Sequence, residues 1–270
     1  MNNLDKDISN LVNSLPVSRN RVVIKMRFGL ARRRPHTLEQ IGQNFGITRE
    51  RVRQIEVDSL DRMREERKME SLSPAFKKLN ECFKDSGEVS LEEHLVNHLG
   101  SSRESALFLL ALGKPYISRP ANVEYLSHWG SDSKSLKKAD SVIKKFLEFF
   151  KQSKRPVSRI NLLSRAPKGV SEKALVSYFG ITKLIDSNPF DEFGLASWSE
   201  IKPKGVRDKA YIILKRESRP LHFREVTDYI NSIDFGDGKV SQPQTVHNEL
   251  IKDPRFSWVE RGVYALSNNE

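Results

Sequence analysis

The chain has 270 residues, with 46 Lys and Arg against 35 Asp and Glu, and a formal net charge of +11. That length suggests about two domains with room for real cores, and the charge suggests a polyanionic partner. A single cysteine, Cys82, excludes an internal disulfide and a cysteine-rich metal site and reads as a small buried hydrophobe, while no apolar run approaches a membrane span.

The opening residues, MNNLDKDISNLVNSL, are amphipathic and carry acids, unlike a signal peptide, so a cytoplasmic chain is expected. The stretch RNRVVIKMRFGL at 19–30 leads into a loop holding Arg32, Arg33 and Arg34. Residues 16–54 hold ten basic and two acidic side chains, so positive charge gathers here. The three loop arginines, with Thr37, Thr48 and Arg51 at the helix entrances that follow, are the expected phosphate contacts, which position a protein on a duplex without specifying sequence. A solvated loop would carry the same arginines.

Residues 37–63 read as two helices joined by a tight turn. Thr37 is an N-cap, and Gln40 completes a capping box. Leu38, Ile41 and Phe45 then recur at helical spacing, Gly46 fits a stop that needs positive φ, and Thr48 caps a second helix. This is helix-turn-helix punctuation. At about 100° per residue, Arg49, Glu50, Arg53 and Gln54 share one face of the second helix, while Val52 and Ile55 turn inward. Arg suits guanine, Gln adenine and Glu the cytosine amino group, so these four are the expected base readers. A solvated charged face is the plainer alternative.

MRFGL (26–30), HTLEQIG (36–42) and ITRERVRQIE (47–56) resemble region 4 of the sigma-70 family, the promoter-specificity subunits of bacterial RNA polymerase, over residues 1–70. The resemblance implies that Arg49, Glu50, Arg53 and Gln54 read the −35 promoter element. It also implies that Phe28, Leu30 and Met63 pack against the β-flap of core polymerase. In that family the chain ends soon after region 4, and other regions bind the polymerase clamp and melt the −10 element. Here some 200 residues follow the motif, which suggests an accessory factor rather than an autonomous sigma.

Beyond Met63 the polar REERKME continues the helical pattern toward Ser71 and Pro74. Then one grammar repeats three times. A helix (75–84, 136–151, 206–216) ends in a polar turn and an aliphatic anchor, Val89, Val157 and Leu221. Two short helical patterns and an aromatic, hairpin-like tail follow each anchor, which is the plan of a winged helix. The segments run 71–130, 131–203 and 204–270. The expected fold is therefore mainly α: a helix-turn-helix, then about three tandem winged helices with small β-hairpin wings.

In the last segment, RPLHFREV (219–226) and the tail FSWVERGVYAL (256–266) resemble a HARE-type helix-turn-helix domain, as in the polymerase delta subunit and beside some DNA-modifying enzymes. Arg261 and Gly262 supply a hairpin turn, with Phe256, Trp258, Tyr264 and Leu266 expected to cover a helix pair. A helix near 244–252 would bury Val246 and Leu250 and present Gln244, Thr245, Asn248 and Lys252 to DNA or a protein.

No catalytic constellation emerges. His94 and His98 are four apart without a third ligand at metal spacing. Asp234-Phe235-Gly236, with Asp237 and Lys239, has the letters of a kinase motif without its companions and reads as a loop. Asp191, Glu192 and Glu200 form no paired arrangement. The expectation is a non-enzymatic, sigma-like DNA-binding transcription factor needing no cofactor or metal, with duplex DNA and RNA polymerase core as partners. The alternatives are a polymerase- or sigma-binding regulator that scarcely touches DNA, and a DNA-targeting subunit of a modifying or restriction system.

Overall fold

A computed structural model describes residues 3–30, 34–65, 67–113 and 115–267. The first helices are α1 (Asn3–Ser14), α2 (Ser18–Phe28), α3 (Leu38–Phe45) and α4 (Arg49–Glu65), followed by a 3₁₀ turn at Arg67–Leu72. The helical run expected to reach residue 70 thus breaks at Glu65. Tertiary packing is the reason: the turn brings Leu72, fully buried, into the core, which a polar helix running straight on would not do.

Three segments of one pattern follow, each helix, strand, two helices and a strand pair. The first holds α5 (Ser73–Asp85), β1 (Val89–Leu91), α6 (Glu92–Leu99), α7 (Arg103–Leu112), β2 (Ile117–Arg119) and β3 (His128–Gly130). The second holds α8 (Ser133–Ser153), β4 (Val157–Ser158), α9 (Arg159–Leu163), α10 (Glu172–Ile181), β5 (Ile185–Ser187) and β6 (Glu192–Leu195). The third holds α11 (Val206–Glu217), β7 (Leu221–His222), α12 (Phe223–Ser232), α13 (Pro243–Lys252), β8 (Phe256–Glu260) and β9 (Val263–Leu266). The anchors Val89, Val157 and Leu221 each open a strand. Each antiparallel sheet has the last strand in the middle, in orders β1-β3-β2, β4-β6-β5 and β7-β9-β8. The fold is therefore a helix-turn-helix followed by winged-helix modules.

Packing divides the chain into two compact units, residues 1–141 with 170–181, and residues 142–169 with 182–270. In the first unit one core collects Leu11 and Leu15, Leu30, Leu60 and Met63 from the helix-turn-helix side, and Leu79, Phe83, Leu95 and Phe108 from the winged-helix side. A separate small cluster, Val23, Ile41, Val52 and Ile55, closes the helix-turn-helix itself. Arg64 joins the two sides: its guanidinium donates to the carbonyls of Ala111 (2.9 Å) and Leu112 (2.7 Å) at the C-terminus of α7, where a helix presents unpaired acceptors.

The helix α10 is also built into this unit. Ser177 Oγ donates to the Val89 carbonyl and Tyr178 OH to the Gly87 carbonyl, both at 2.6 Å. Gly87 has φ +68, and a Cβ there would lie 2.3 Å from Ala174 Cβ. Replacing Gly87 with alanine is expected to cost on the order of 1–3 kcal/mol from the backbone alone, with the displacement of α10 in addition. Hydrogen exchange showing α10 as protected in that variant as in the parent would contradict the packing.

The surroundings of His128 are expected to make the unit acid-sensitive. Its Nδ1 donates to the Leu126 carbonyl at 2.7 Å, and its Nε2 is buried without a partner, so a second proton has no acceptor. Burial pushes the imidazole below its ordinary value, against the pull of the Leu126 bond. Burial would raise the nearby Glu92 carboxyl, but hydrogen bonds from Arg103, Trp129 and Ser127 outweigh it and hold the group below its ordinary value. In both cases the unfolded chain binds protons more readily, so stability falls as pH falls. For His128 the loss begins as pH drops through about 6.5, for Glu92 only through about 4.3. Thermal melts should show a lower midpoint at pH 5.5 than at 7.5, and His128→Gln should flatten that part of the profile.

In the second unit Phe146 and Phe150 of α8 and Trp198 form one aromatic group, the Phe150 and Trp198 rings 6.1 Å apart and nearly perpendicular. The last segment closes over Ile213, Leu221, Val226, Ile230, Val246, Leu250, Phe256 and Tyr264. Trp258 departs from the expected cover: it is 68% exposed. It lies on β8, the sheet's edge strand, whose side chains after Phe256 are all exposed, with a register shift between Trp258 and Glu260.

Candidate nucleic-acid interface

The interface is assembled by local chemistry. Gln40 N–H donates to Thr37 Oγ1 at 3.2 Å and Thr37 N–H to Gln40 Oε1 at 2.9 Å, which closes the capping box and starts α3. Gly46 ends it at φ +64, and Thr48 Oγ1 accepts from Arg51 N–H at 3.2 Å at the start of α4. The helices come so close that a Cβ on Gly42 would stand 2.6 Å from the Ile47 carbonyl oxygen, so only glycine fits. Thr37→Ala, which removes one cap, should cost about 1 kcal/mol in urea unfolding.

With Val52 and Ile55 buried, α4 turns Arg49, Glu50, Arg51, Arg53 and Gln54 outward, all exposed. Arg53 grips Glu50 with both prongs of its guanidinium, Nε to Oε2 at 2.9 Å and Nη2 to Oε1 at 2.8 Å. Arg51 Nη1 donates to Gln54 Oε1 at 3.0 Å. The bonds from Arg53 hold the Glu50 carboxyl below the usual carboxylate range, so it is ionised and an acceptor. Exposed pairs of this kind contribute little to stability and exchange easily for base edges and phosphates. The Arg51–Gln54 bond, between neighbours one turn apart on the helix, ties an expected phosphate contact to an expected base reader.

Around this face, Arg34 and Thr37 are exposed, and Arg32 and Arg33 lie outside the described residues. Arg19 stands over the Phe45 ring at 5.5 Å. Arg27 bonds Glu56 at 3.2 Å, and His36 N–H donates to the Met26 carbonyl at 2.9 Å, so the end of the loop is tied to α2. No local signal in the sequence indicates the Arg27 or Arg64 contacts, because their partners lie 29 and 48 residues away.

The residues expected to meet the polymerase flap lie against the first winged helix. Met63 is fully buried, Leu30 is 7% exposed, and Phe28 packs edge-on against Phe108, ring centres 5.3 Å apart. Leu30 and Met63 are core side chains here, and Phe28 is half-buried against α7. On α13, Gln244, Thr245, Asn248 and Lys252 are all exposed, with Gln244 Nε2 3.3 Å from Asn248 Oδ1.

The remaining polar candidates have structural partners. His94 Nδ1 lies 2.9 Å from Ser90 Oγ, and Asp191 takes Arg159 at 2.5 Å. Glu192 takes Asn188 at 2.8 Å and Glu200 takes Lys215 at 2.6 Å. Asp237 accepts the buried Lys209 ammonium through both oxygens at 2.9 Å.

A capped helix-turn-helix with an exposed Arg, Glu and Gln face, followed by winged helices, has the architecture of helix-turn-helix proteins. Residues 17–65 match the family described as sigma-70, region 4. The chain is 46% identical over 63 residues to RNA polymerase sigma factor SigA of Microcystis aeruginosa and to that of a Synechocystis strain. It is 48% identical over 50 residues to SigA of Lactococcus lactis subsp. cremoris. The SigA matches cover 23%, 23% and 18% of this chain but only 15%, 15% and 14% of those sigma factors. Residues 17–65 are therefore a sigma-70 region 4 module. Among the described residues no helix is long and apolar enough to cross a membrane.

Proposed function

We propose that this protein is a sigma-like transcription initiation factor or regulator that reads a −35-type promoter element with α4 and acts with RNA polymerase. The outward set of Arg49, Glu50, Arg53 and Gln54, on a helix whose caps and core hold it at a helix-turn-helix angle, supports the reading most directly. Arg34, Thr37, Thr48 and Arg51 contact phosphates on either side. The mechanism is groove readout by one helix with phosphate neutralisation around it, so affinity falls steeply with salt.

The test is a pull-down of core RNA polymerase with the full chain, followed by footprinting on a promoter with a consensus −35 element. Protection at −35 that requires polymerase supports an accessory sigma-like factor. Selective protection without polymerase binding would reduce the proposal to an ordinary DNA-binding regulator. Polymerase binding that survives charge reversal at Arg49 and Arg53, with no protection of DNA, would overturn base reading.

A further inference from the structure

Residues 142–169 hold eight basic side chains, Lys144, Lys145, Lys151, Lys154, Arg155, Arg159, Arg165 and Lys168, and one acid, Glu148. The difference, 8 − 1, is +7 of the chain's +11. All belong to the second compact unit. Arg159 is held by Asp191, and Arg165 lies over the Phe149 ring at 4.7 Å. The other six are exposed, and among the described residues none of them is in an ion pair. Elsewhere in this unit several cations are matched, Lys202 with Asp186, Lys215 with Glu200, and Arg255 with Asp208 and Asp253, and those that are not, such as Lys204, Lys239 and Lys252, are scattered along the chain.

The helix explains the arrangement. Val142, Ile143, Phe146 and Phe150 are buried, which leaves Lys144, Lys145, Glu148, Lys151 and Gln152 on the outer face of α8. Lys144 and Lys151 are two turns apart, about 10 Å, close to the axial span of three phosphate-to-phosphate steps on one DNA strand. Lys154 and Arg155 extend the patch past the helix end. Arg155 lines a cleft of about 210 Å³ with Arg216, whose guanidinium sits 4.2 Å from the Phe190 ring centre. Unpaired like charges at this density repel one another, and a polyanion relieves the repulsion.

We infer that the outer face of α8, with the loop after it, is a second duplex-DNA surface that contacts phosphates and reads no sequence. It rests on the proposed function only in taking DNA as the partner. Lysine ammonium groups are hydrated point charges on flexible stems, suited to phosphates rather than to the forked contacts that identify bases. The α13 face, with Lys252 as its single cation, has no comparable charge.

The test uses the full chain and a variant carrying Lys144→Gln, Lys145→Gln and Lys151→Gln, all solvent-exposed. Binding is followed against salt on two long duplexes, with and without the −35 element. Loss of three phosphate contacts should reduce the slope of log affinity against log salt by roughly 2–3, equally on both duplexes, so that the preference between them is unchanged. Arginine at the same three positions should restore the slope. A second variant, Lys154→Gln with Arg155→Gln, checks the surface away from the helix. An unchanged slope in folded variants would overturn the inference, as it would if the patch serves an acidic protein instead. A parent that shows no preference between the duplexes, with the slope still lowered, would refute base reading and leave this surface standing.

Discussion

Replacing Arg53 with alanine is expected to lower affinity for the preferred duplex about ten- to a hundredfold and to relax selectivity at one base pair. Affinity for unrelated duplex should fall only by the effect of one charge. The asymmetry follows from geometry. In the free protein the Arg53 fork is satisfied by Glu50 in the two-pronged arrangement that guanine O6 and N7 would offer, so exchange keeps its shape and orientation. Lysine at this position would keep the charge and lose the fork, so Arg53→Lys should resemble alanine in selectivity and the parent in salt dependence. Selection of preferred sequences from a randomised duplex pool, run on each variant, checks this. Unaltered preferences in Arg53→Ala and Gln54→Ala would show that α4 is not the reader.

The second large effect lies 55 residues from Arg53 in sequence. Phe108→Ala should reduce unfolding free energy by about 3–5 kcal/mol, and Met63→Ala by about 2–5 kcal/mol, because both side chains are fully buried and their neighbours cannot collapse into the space. Since α4 contributes Leu60 and Met63 to the same core as Phe108, the loss should reach α4. Amide exchange in the C-terminal half of α4 should accelerate in Phe108→Ala, although residue 108 lies outside the helix-turn-helix. If α4 kept its protection while the winged helix lost its own, the two would not share a core and the arrangement described above would be wrong. Coupling of this kind ties α4 to the first winged helix.

Local chemistry made much of the reader legible. The Thr37 and Gln40 box, the positive φ of Gly46, the Thr48 cap and the inward Val52 and Ile55 all depend on neighbours within a few residues, and all are found in the structure. The three strands opening at Val89, Val157 and Leu221 were likewise legible, because each repeat carries its own turn and anchor. Trp258 was misread because alternation along a strand shows which side a residue takes, but not that β8 would be the edge strand with its side chains uncovered after Phe256.

By itself, then, the sequence determined the helix-turn-helix, its outward Arg, Glu and Gln face and the winged-helix repeat, since these follow from periodicity, caps and turns acting over a few residues. Tertiary structure alone decided the burial of Leu30 and Met63, the packing of Phe28 against α7, the grip of Arg64 on the end of that helix, and the seating of α10 on the Gly87 turn. It also decided which cations go unpaired. Apolar residues match a docking surface and a core equally well in composition, and a charge is free or paired according to a partner that can lie anywhere in the chain. Only long-range packing separates those outcomes.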